Sequence, residues 1–260
     1  MLLAIDTSTH LASLALTDDA KLLAELNWRV GQRHGSDTLE RARWLLAGQG
    51  VTMAQLDGVA VALGPGSFNG VRVALATAKS LAFALDVPLY GISTLDAIAW
   101  GALLAPDPIW ALLDAGRGEV YAARYLPDME ATAWAPQPIA LADGGDSVRG
   151  YQILTPADLA ASISGRALFT GEWRAETGDA LRAALGARAR FTSPLTARRG
   201  VWLAELALAR AERGAADDPR ALEPLYLRRP AITSSKRAET SPAGLAADQR
   251  TGGEEAAHAL

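Results

Sequence analysis

Gly64-Pro-Gly-Ser-Phe-Asn-Gly-Val-Arg-Val-Ala-Leu-Ala-Thr-Ala-Lys79 is a glycine turn that empties directly into an alanine-rich helix. The apolar run 59–63 precedes it, so the local order is strand, glycine loop, helix. Gly64 and Gly66 admit backbone conformations denied to other residues, and Ser67 is a good N-cap. The helix opening behind Ser67 leaves amides free to meet an anion, a geometry that suits a phosphate. This is not a Walker A loop, which ends its turn in Lys-Ser/Thr; Lys79 lies about three helical turns downstream. Two readings stay open at this point: a ligand cradle built from Gly64, Gly66 and Ser67, or a structural turn capped by Ser67.

Composition narrows the field. The chain has 260 residues, 50% of them apolar, enough for one large or two small domains with a real core. No segment approaches the ~20 apolar residues of a membrane span, and the apolar start at 2–5 is cut short by Asp6 with no basic stretch before it. A cytosolic location without membrane attachment is the expectation. With no cysteine there is no disulfide, thiol nucleophile or thiolate metal site, and His10, His34 and His258 show no metal-ligand spacing. The net charge of −4 argues against a dedicated nucleic-acid binder. Arginines do cluster at Arg188/Arg190, Arg198/Arg199 and Arg228/Arg229, as a solvated face or a local RNA contact.

Segments 2–5, 12–17 and 21–27 read as three short strands joined by turns. A helix over 37–48, the strand 59–63, a helix over 71–85, the strand 88–92 and a helix after Ser93 follow. A three-stranded meander followed by alternating helix and strand is the order of a ribonuclease H-like α/β domain. At Ile109 the pattern restarts: Ile109-Trp-Ala-Leu-Leu-Asp114-Ala-Gly-Arg-Gly118 precedes the strand 119–125, as 2–6 and its turn precede 12–17. The economical account is an internal duplication, with one half over 1–105 and a second over 106–232 closed by a helix at 197–213. Residues 233–260 carry almost nothing large and apolar and are expected to be a disordered tail.

Asp6-Thr7-Ser8 stands at the end of the first strand, where a hairpin turn presents amides and two hydroxyls to a phosphate while a carboxylate holds a hydrated cation. Its counterpart in the second half is Asp114 with Gly116 and Gly118. Asp before Thr-Ser is also an ordinary turn former. The helix after the glycine loop carries a second message. On a 100° wheel Val71, Leu75, Ala78, Ala82 and Leu85 form a core stripe, yet Val73, Ala76, Ser80 and Phe83 make the other side small and apolar too. In the helix 37–48, Leu39, Ala42, Leu45 and Leu46 share a stripe while Trp44 and Ala47 point away from it beside Glu40. Leu39, Glu40, Trp44, Ala47, Arg72, Val73, Ala76, Ser80 and Phe83 are therefore candidates for a partner interface.

Taken together, Asp6-Thr7-Ser8, the loop 64–72, Ala76-Thr-Ala-Lys79, Leu112-Leu-Asp-Ala-Gly-Arg-Gly-Glu-Val-Tyr121 and Pro224-Leu-Tyr-Leu-Arg228 resemble the bacterial TsaB (YeaZ) family, over residues 2–228 in order and spacing. The resemblance implies a duplicated actin-like ATPase fold of the sugar kinase and heat-shock chaperone superfamily. It also implies a role in making threonylcarbamoyladenosine beside the tRNA anticodon, as the dimerisation partner that activates the TsaD transferase, alongside the TsaE ATPase. A homodimer in the absence of TsaD, tRNA contact through the complex, and ATP or ADP with magnesium at a partner interface belong to the same expectation. TsaD-like proteins read approximately Asn-His-Leu-Glu-Gly-His after the fifth strand, where this chain has Ser93-Thr-Leu-Asp-Ala-Ile98. Thr94 and Ile98 thus stand where the metal ligands would be, so neither catalytic nor metal-binding residues are expected. Asn69 departs from the family's Thr and Ala74 from its common Gly. The alternative is an independent nucleotide-binding enzyme of this fold, an ATPase, transferase or peptidase-like protein.

Overall fold

The computed structural model describes residues 1–30, 36–126, 150–193 and 200–228. It opens with the strands β1 (Leu2–Asp6), β2 (Leu11–Asp18) and β3 (Lys21–Arg29), the predicted meander. α1 (Ser36–Gly48), β4 (Gly58–Ala62), α2 (Phe68–Leu85), β5 (Leu89–Ile92) and α3 (Thr94–Trp100) follow. The sheet order is β3-β2-β1-β4-β5, with β1 antiparallel to β2 and parallel to β4. The second half contains β6 (Ile109–Gly116), β7 (Glu119–Tyr125), β8 (Tyr151–Leu154), α4 (Pro156–Ala161), β9 (Ala167–Glu172), α5 (Ala175–Leu185), β10 (Ala189–Phe191) and α6 (Gly200–Ala211). Its sheet runs β10-β9-β6-β7-β8. Read from β8, this is the first order again, with β6 antiparallel to β7 and parallel to β9. The duplicated ribonuclease H-like fold is therefore written in the strand pairing itself.

Burial explains why each segment adopts its form. β1 and β4 are buried along their whole length, as central strands covered on both faces must be, and so read as apolar runs without alternation. On one face of the first sheet Ala42, Leu45 and Leu46 of α1 join Ala74, Leu75, Ala78 and Ala82 of α2 over Leu3, Ile5, Val59 and Val61. On the other face Leu203, Ala204 and Ala207 of α6 meet Leu2, Ala4, Ala60 and Ala62, with Ala97 of α3 beside them. α3 serves both sheets, because Leu95, Ile98 and Ala99 pack on Ile109, Ala111 and Leu113 of β6. The far face of the second sheet is covered by Leu159 of α4 and Leu181 and Leu185 of α5.

α2 begins three residues before the predicted start at Val71, since Phe68 and Asn69 already lie in helical geometry behind the Ser67 cap. The elements β8, α4, β9, α5 and β10 have no counterpart in the sequence reading, which finds the second half irregular. They are short, and their apolar residues become a core only when all five elements meet. The stretch 136–149, residues 197–199 of the expected closing helix, Arg198, Arg199, Arg229 and the expected tail 233–260 lie outside the described residues.

Candidate functional site

The glycine turn is held by the hairpin that precedes it in the sheet. Ser67 donates its amide to the Ser8 carbonyl at 2.6 Å, and Thr7 Oγ1 donates to the Gly70 carbonyl at 2.7 Å. Gly70 returns its amide to Ser67 Oγ at 3.3 Å, closing the cap of α2. A methyl group at Gly66 would overlap the Ser8 carbonyl, and one at Gly70 the Thr7 carbonyl. These two glycines are thus required by backbone lying directly on backbone. Gly64 is buried beneath the turn, and its carbonyl accepts from the Thr94 amide at 2.8 Å, which ties α3 to the same knot.

The hydroxyls that the sequence offers to a phosphate are largely consumed in this knot. Ser8 Oγ donates to Asp6 Oδ1 at 2.7 Å and accepts from Thr94 Oγ1 at 3.1 Å, and the Ser8 amide also reaches Asp6 Oδ1 at 2.9 Å. Asp6 and Thr7 are each only 1% exposed. Thr94 and Ile98, where a metal-binding pair would stand in a TsaD-like protein, are both buried, one in the knot and one in the core. Among the described residues no group of three or more His, Asp or Glu side chains is placed to hold a metal ion.

Above the knot lies a cavity of about 490 Å³. The β1–β2 turn supplies Ser8, Thr9 and His10, the glycine turn Gly66 and Ser67, and the equivalent β6–β7 hairpin of the second half supplies Asp114, Gly116 and Tyr121. Two duplicated hairpins thus face one another across it. Thr9 Oγ1 bridges to Glu172 Oε2 at the end of β9 (2.8 Å). Asp114 Oδ2 accepts from Arg174 Nε at 2.8 Å, and Asp114 Oδ1 from the Gly116 amide at 3.1 Å. Burial pushes the Tyr121 hydroxyl above its ordinary value, so it faces the cavity as a protonated donor.

The structure therefore brings Ser8, Gly66, Ser67 and Asp114 to one cavity and leaves Asp6, Thr7 and Gly64 beneath it. Asp114 lines the cavity while its counterpart Asp6 does not: Asp6 is 1% exposed beneath the glycine turn. Arg29 and Arg174, which the sequence reading missed, line it instead, and only the fold brings them there. With Asp114 already engaged by a guanidinium, this donor set fits an anion such as a phosphate better than it fits a magnesium ion.

Outward from the first sheet, α1 and α2 expose Glu40, Trp44, Ala47, Arg72, Ala76, Ser80 and Phe83, while Leu39 and Val73 are half-buried. Trp44 is 67% and Phe83 80% exposed. At the start of α2, Phe68 lies 5.4 Å from the Tyr226 ring, with the Arg72 guanidinium 5.0 Å from its centroid. No helix among the described residues is long and apolar enough to cross a membrane.

A second cavity, of about 580 Å³, is lined by Asp96 of α3 with Tyr151, Asp217, Asp218 and Glu223. Tyr125 and Tyr151 both donate their phenols to Asp96 Oδ1, at 2.6 and 2.7 Å. Burial raises the Asp96 carboxyl from 3.8 to about 6, against the two phenol hydrogen bonds that pull it down.

Fold and cavity define a class: a duplicated ribonuclease H-like protein with a cleft between equivalent hairpins and no metal cluster among its described residues. Comparison with known proteins supplies the family. Residues 29–143 match the family model described as TsaD, tRNA N6-adenosine threonylcarbamoyltransferase. The tRNA threonylcarbamoyladenosine biosynthesis protein TsaB of Escherichia coli is 35% identical over 129 residues, 49% of this chain and 55% of that protein. Its Bacillus subtilis namesake is 33% identical over 124 residues, 48% of this chain and 54% of that one. An uncharacterised Mycobacterium bovis protein is 35% identical over 148 residues, covering 56% of this chain and 69% of the relative. The crystal structure of YeaZ from Pseudomonas aeruginosa superposes with a TM-score of 0.70 at 27% identity, over 87% of this chain and 99% of that one. The chain belongs to the TsaB (YeaZ) family. It spans about half the length of the curated TsaB relatives that it matches.

Proposed function

We propose that this chain is the noncatalytic, activating subunit of a tRNA threonylcarbamoyladenosine-forming complex, and that it docks on a TsaD-like transferase through α1 and α2. The observation that carries the reading is the exposure of Trp44 and Phe83 on helices whose opposite sides are core. Large aromatic side chains left 67% and 80% exposed on adjoining helices are the anchors that a protein interface buries. Thr94 and Ile98 support the noncatalytic part, since neither side chain supplies a strong metal ligand and both are buried. A TsaE-like ATPase completes the proposed complex, tRNA is recruited to the assembled complex, and the same helices would close a homodimer when the transferase is absent.

The test mixes the purified chain with a TsaD-like transferase and follows complex formation by light scattering. Trp44→Glu with Phe83→Asp is expected to weaken the complex at least tenfold and to lower tRNA modification with it. Full complex formation and modification by that double variant would end the proposal. A second reading, a nucleotide-binding enzyme of the same fold, is favoured by the cavity between the duplicated hairpins, where Ser67, Arg29 and Arg174 would receive phosphates of ATP or ADP. Turnover of ATP by the isolated chain, abolished by Asp114→Asn, supports that reading, and its absence removes it.

A further inference from the structure

A cavity of about 350 Å³ opens at the foot of the second sheet, on the loop between α4 and β9. Its floor is Trp110, 3% exposed, and its walls include Arg124, Arg166, Ser164 and Gly165. Among the described residues Asp107 is the single carboxylate in the lining. It is nearly buried and holds two guanidiniums: Arg190 Nη1 at 3.1 Å and Arg166 Nε at 3.7 Å. Arg188 donates from Nη1 to the carbonyls of Ile163 (2.9 Å) and Ser164 (3.3 Å), which fixes the rim of the cavity. Arg124 stands opposite Trp110 in the β6–β7 pairing, and its side chain makes no hydrogen bond or ion pair among the described residues.

Among the described lining residues two guanidiniums, Arg124 and Arg166, face one carboxylate, and that carboxylate is shared with Arg190 beside the cavity, so the site is locally positive in a chain whose net charge is −4. An unpaired guanidinium beside two that are held in place by a buried acid is a preorganised receptor for an oxyanion, and its planar fork matches phosphate. The volume accommodates about one nucleotide unit. Arg166 and Arg190 are 64% and 51% exposed, so the site is open at its side and admits a chain that continues past it. An enclosed mononucleotide pocket would bury them.

We propose that the cavity lined by Arg124 and Arg166 binds the phosphodiester backbone of an RNA strand. The choice of RNA over other polyphosphates rests on the tRNA-modification reading above. Arg124 lies on the second sheet and Arg166 on the loop that enters it, whereas the proposed docking helices pack on the first.

The test follows fluorescence anisotropy of a fluorescein-labelled RNA hairpin titrated with the full chain, at salt concentrations from about 50 to 200 mM. Arg124→Ala with Arg166→Ala is expected to weaken binding several-fold and to reduce the slope of log affinity against log salt by about one to two. Arg124→Lys with Arg166→Lys, which keeps the charge, should retain most of the slope and shows that loss in the alanine variant is not misfolding. Millimolar AMP or inorganic phosphate is expected not to displace the hairpin. No binding by the wild-type chain, an unchanged slope in the alanine variant, or displacement by AMP as effective as by RNA would overturn the proposal. Light scattering with the transferase separates the two ideas: the alanine variant should still form the complex, and a failed complex with intact RNA binding would sink the docking reading alone.

Discussion

Replacing Asp96 by Asn tests how the two halves are joined. Asp96 sits on α3, which belongs to the first half by chain order, and receives phenols from Tyr125 and Tyr151 of the second sheet. Its carboxyl is raised from 3.8 to about 6, chiefly by burial. A raised carboxyl means that the folded chain binds this proton more tightly than the unfolded chain does. The resulting stabilisation is fully present below about pH 4 and is lost as the pH climbs through about 6. Each pKa unit is worth ~1.4 kcal/mol, so holding the ionised group in place at neutral pH forfeits about 3 kcal/mol. Between pH 4.5 and 7.5 the change amounts to about 2 kcal/mol. Asparagine keeps a carbonyl oxygen for the phenols and does not titrate. The wild-type chain should therefore lose about 2 kcal/mol relative to Asp96→Asn over that interval, and the variant should be at least as stable at pH 7.5. Urea unfolding followed by tryptophan fluorescence, at both pH values, reads the difference through the midpoint at constant m. A wild-type minus variant difference that stays the same at both pH values would refute the reasoning.

Three further outcomes follow from the same contacts. Gly70→Ala is expected to destabilise the chain by about 3 kcal/mol, because the added methyl overlaps the Thr7 carbonyl and only backbone can move; a thermal midpoint within a degree or two of wild type would contradict this. Asp217→Ala removes a bidentate partner of Arg210 (2.9 and 3.0 Å) and the acceptor of the Gly91 amide, so a loss of about 2 kcal/mol is expected in urea unfolding. Trp44→Glu with Phe83→Asp should leave the unfolding midpoint of the isolated chain within about 0.5 kcal/mol per substitution, since both side chains are mostly in water; a large loss would show that they support the fold.

Local chemistry made the first half legible. The run 59–63, the glycine turn, the Ser67 cap and the Val71-to-Ala82 stripe are properties of neighbours in the chain, and the structure keeps all of them within a few residues. The restart at Ile109 was equally readable, because an apolar strand ending in Asp, then a turn and a second strand, occurs at β6 as it does at β1. Segments 151–191 were not. Leu159, Phe169 and Leu181 carry too little periodicity in elements of 6, 6 and 11 residues to announce themselves, and become a core only by meeting one another.

The sequence by itself determined the strand-loop-helix unit, the duplication, and which helix faces are apolar on both sides, since each depends on spacing along the chain. Tertiary structure alone decided what the polar residues do. Asp6 is buried beneath the glycine turn, and Asp114 is engaged by Arg174 from 60 residues away. Asp96 met its phenols from 29 and 55 residues away, and Asp107 met Arg190 from 83. A carboxylate's role is set by its solvation and its partner, and both are consequences of packing that spacing does not encode.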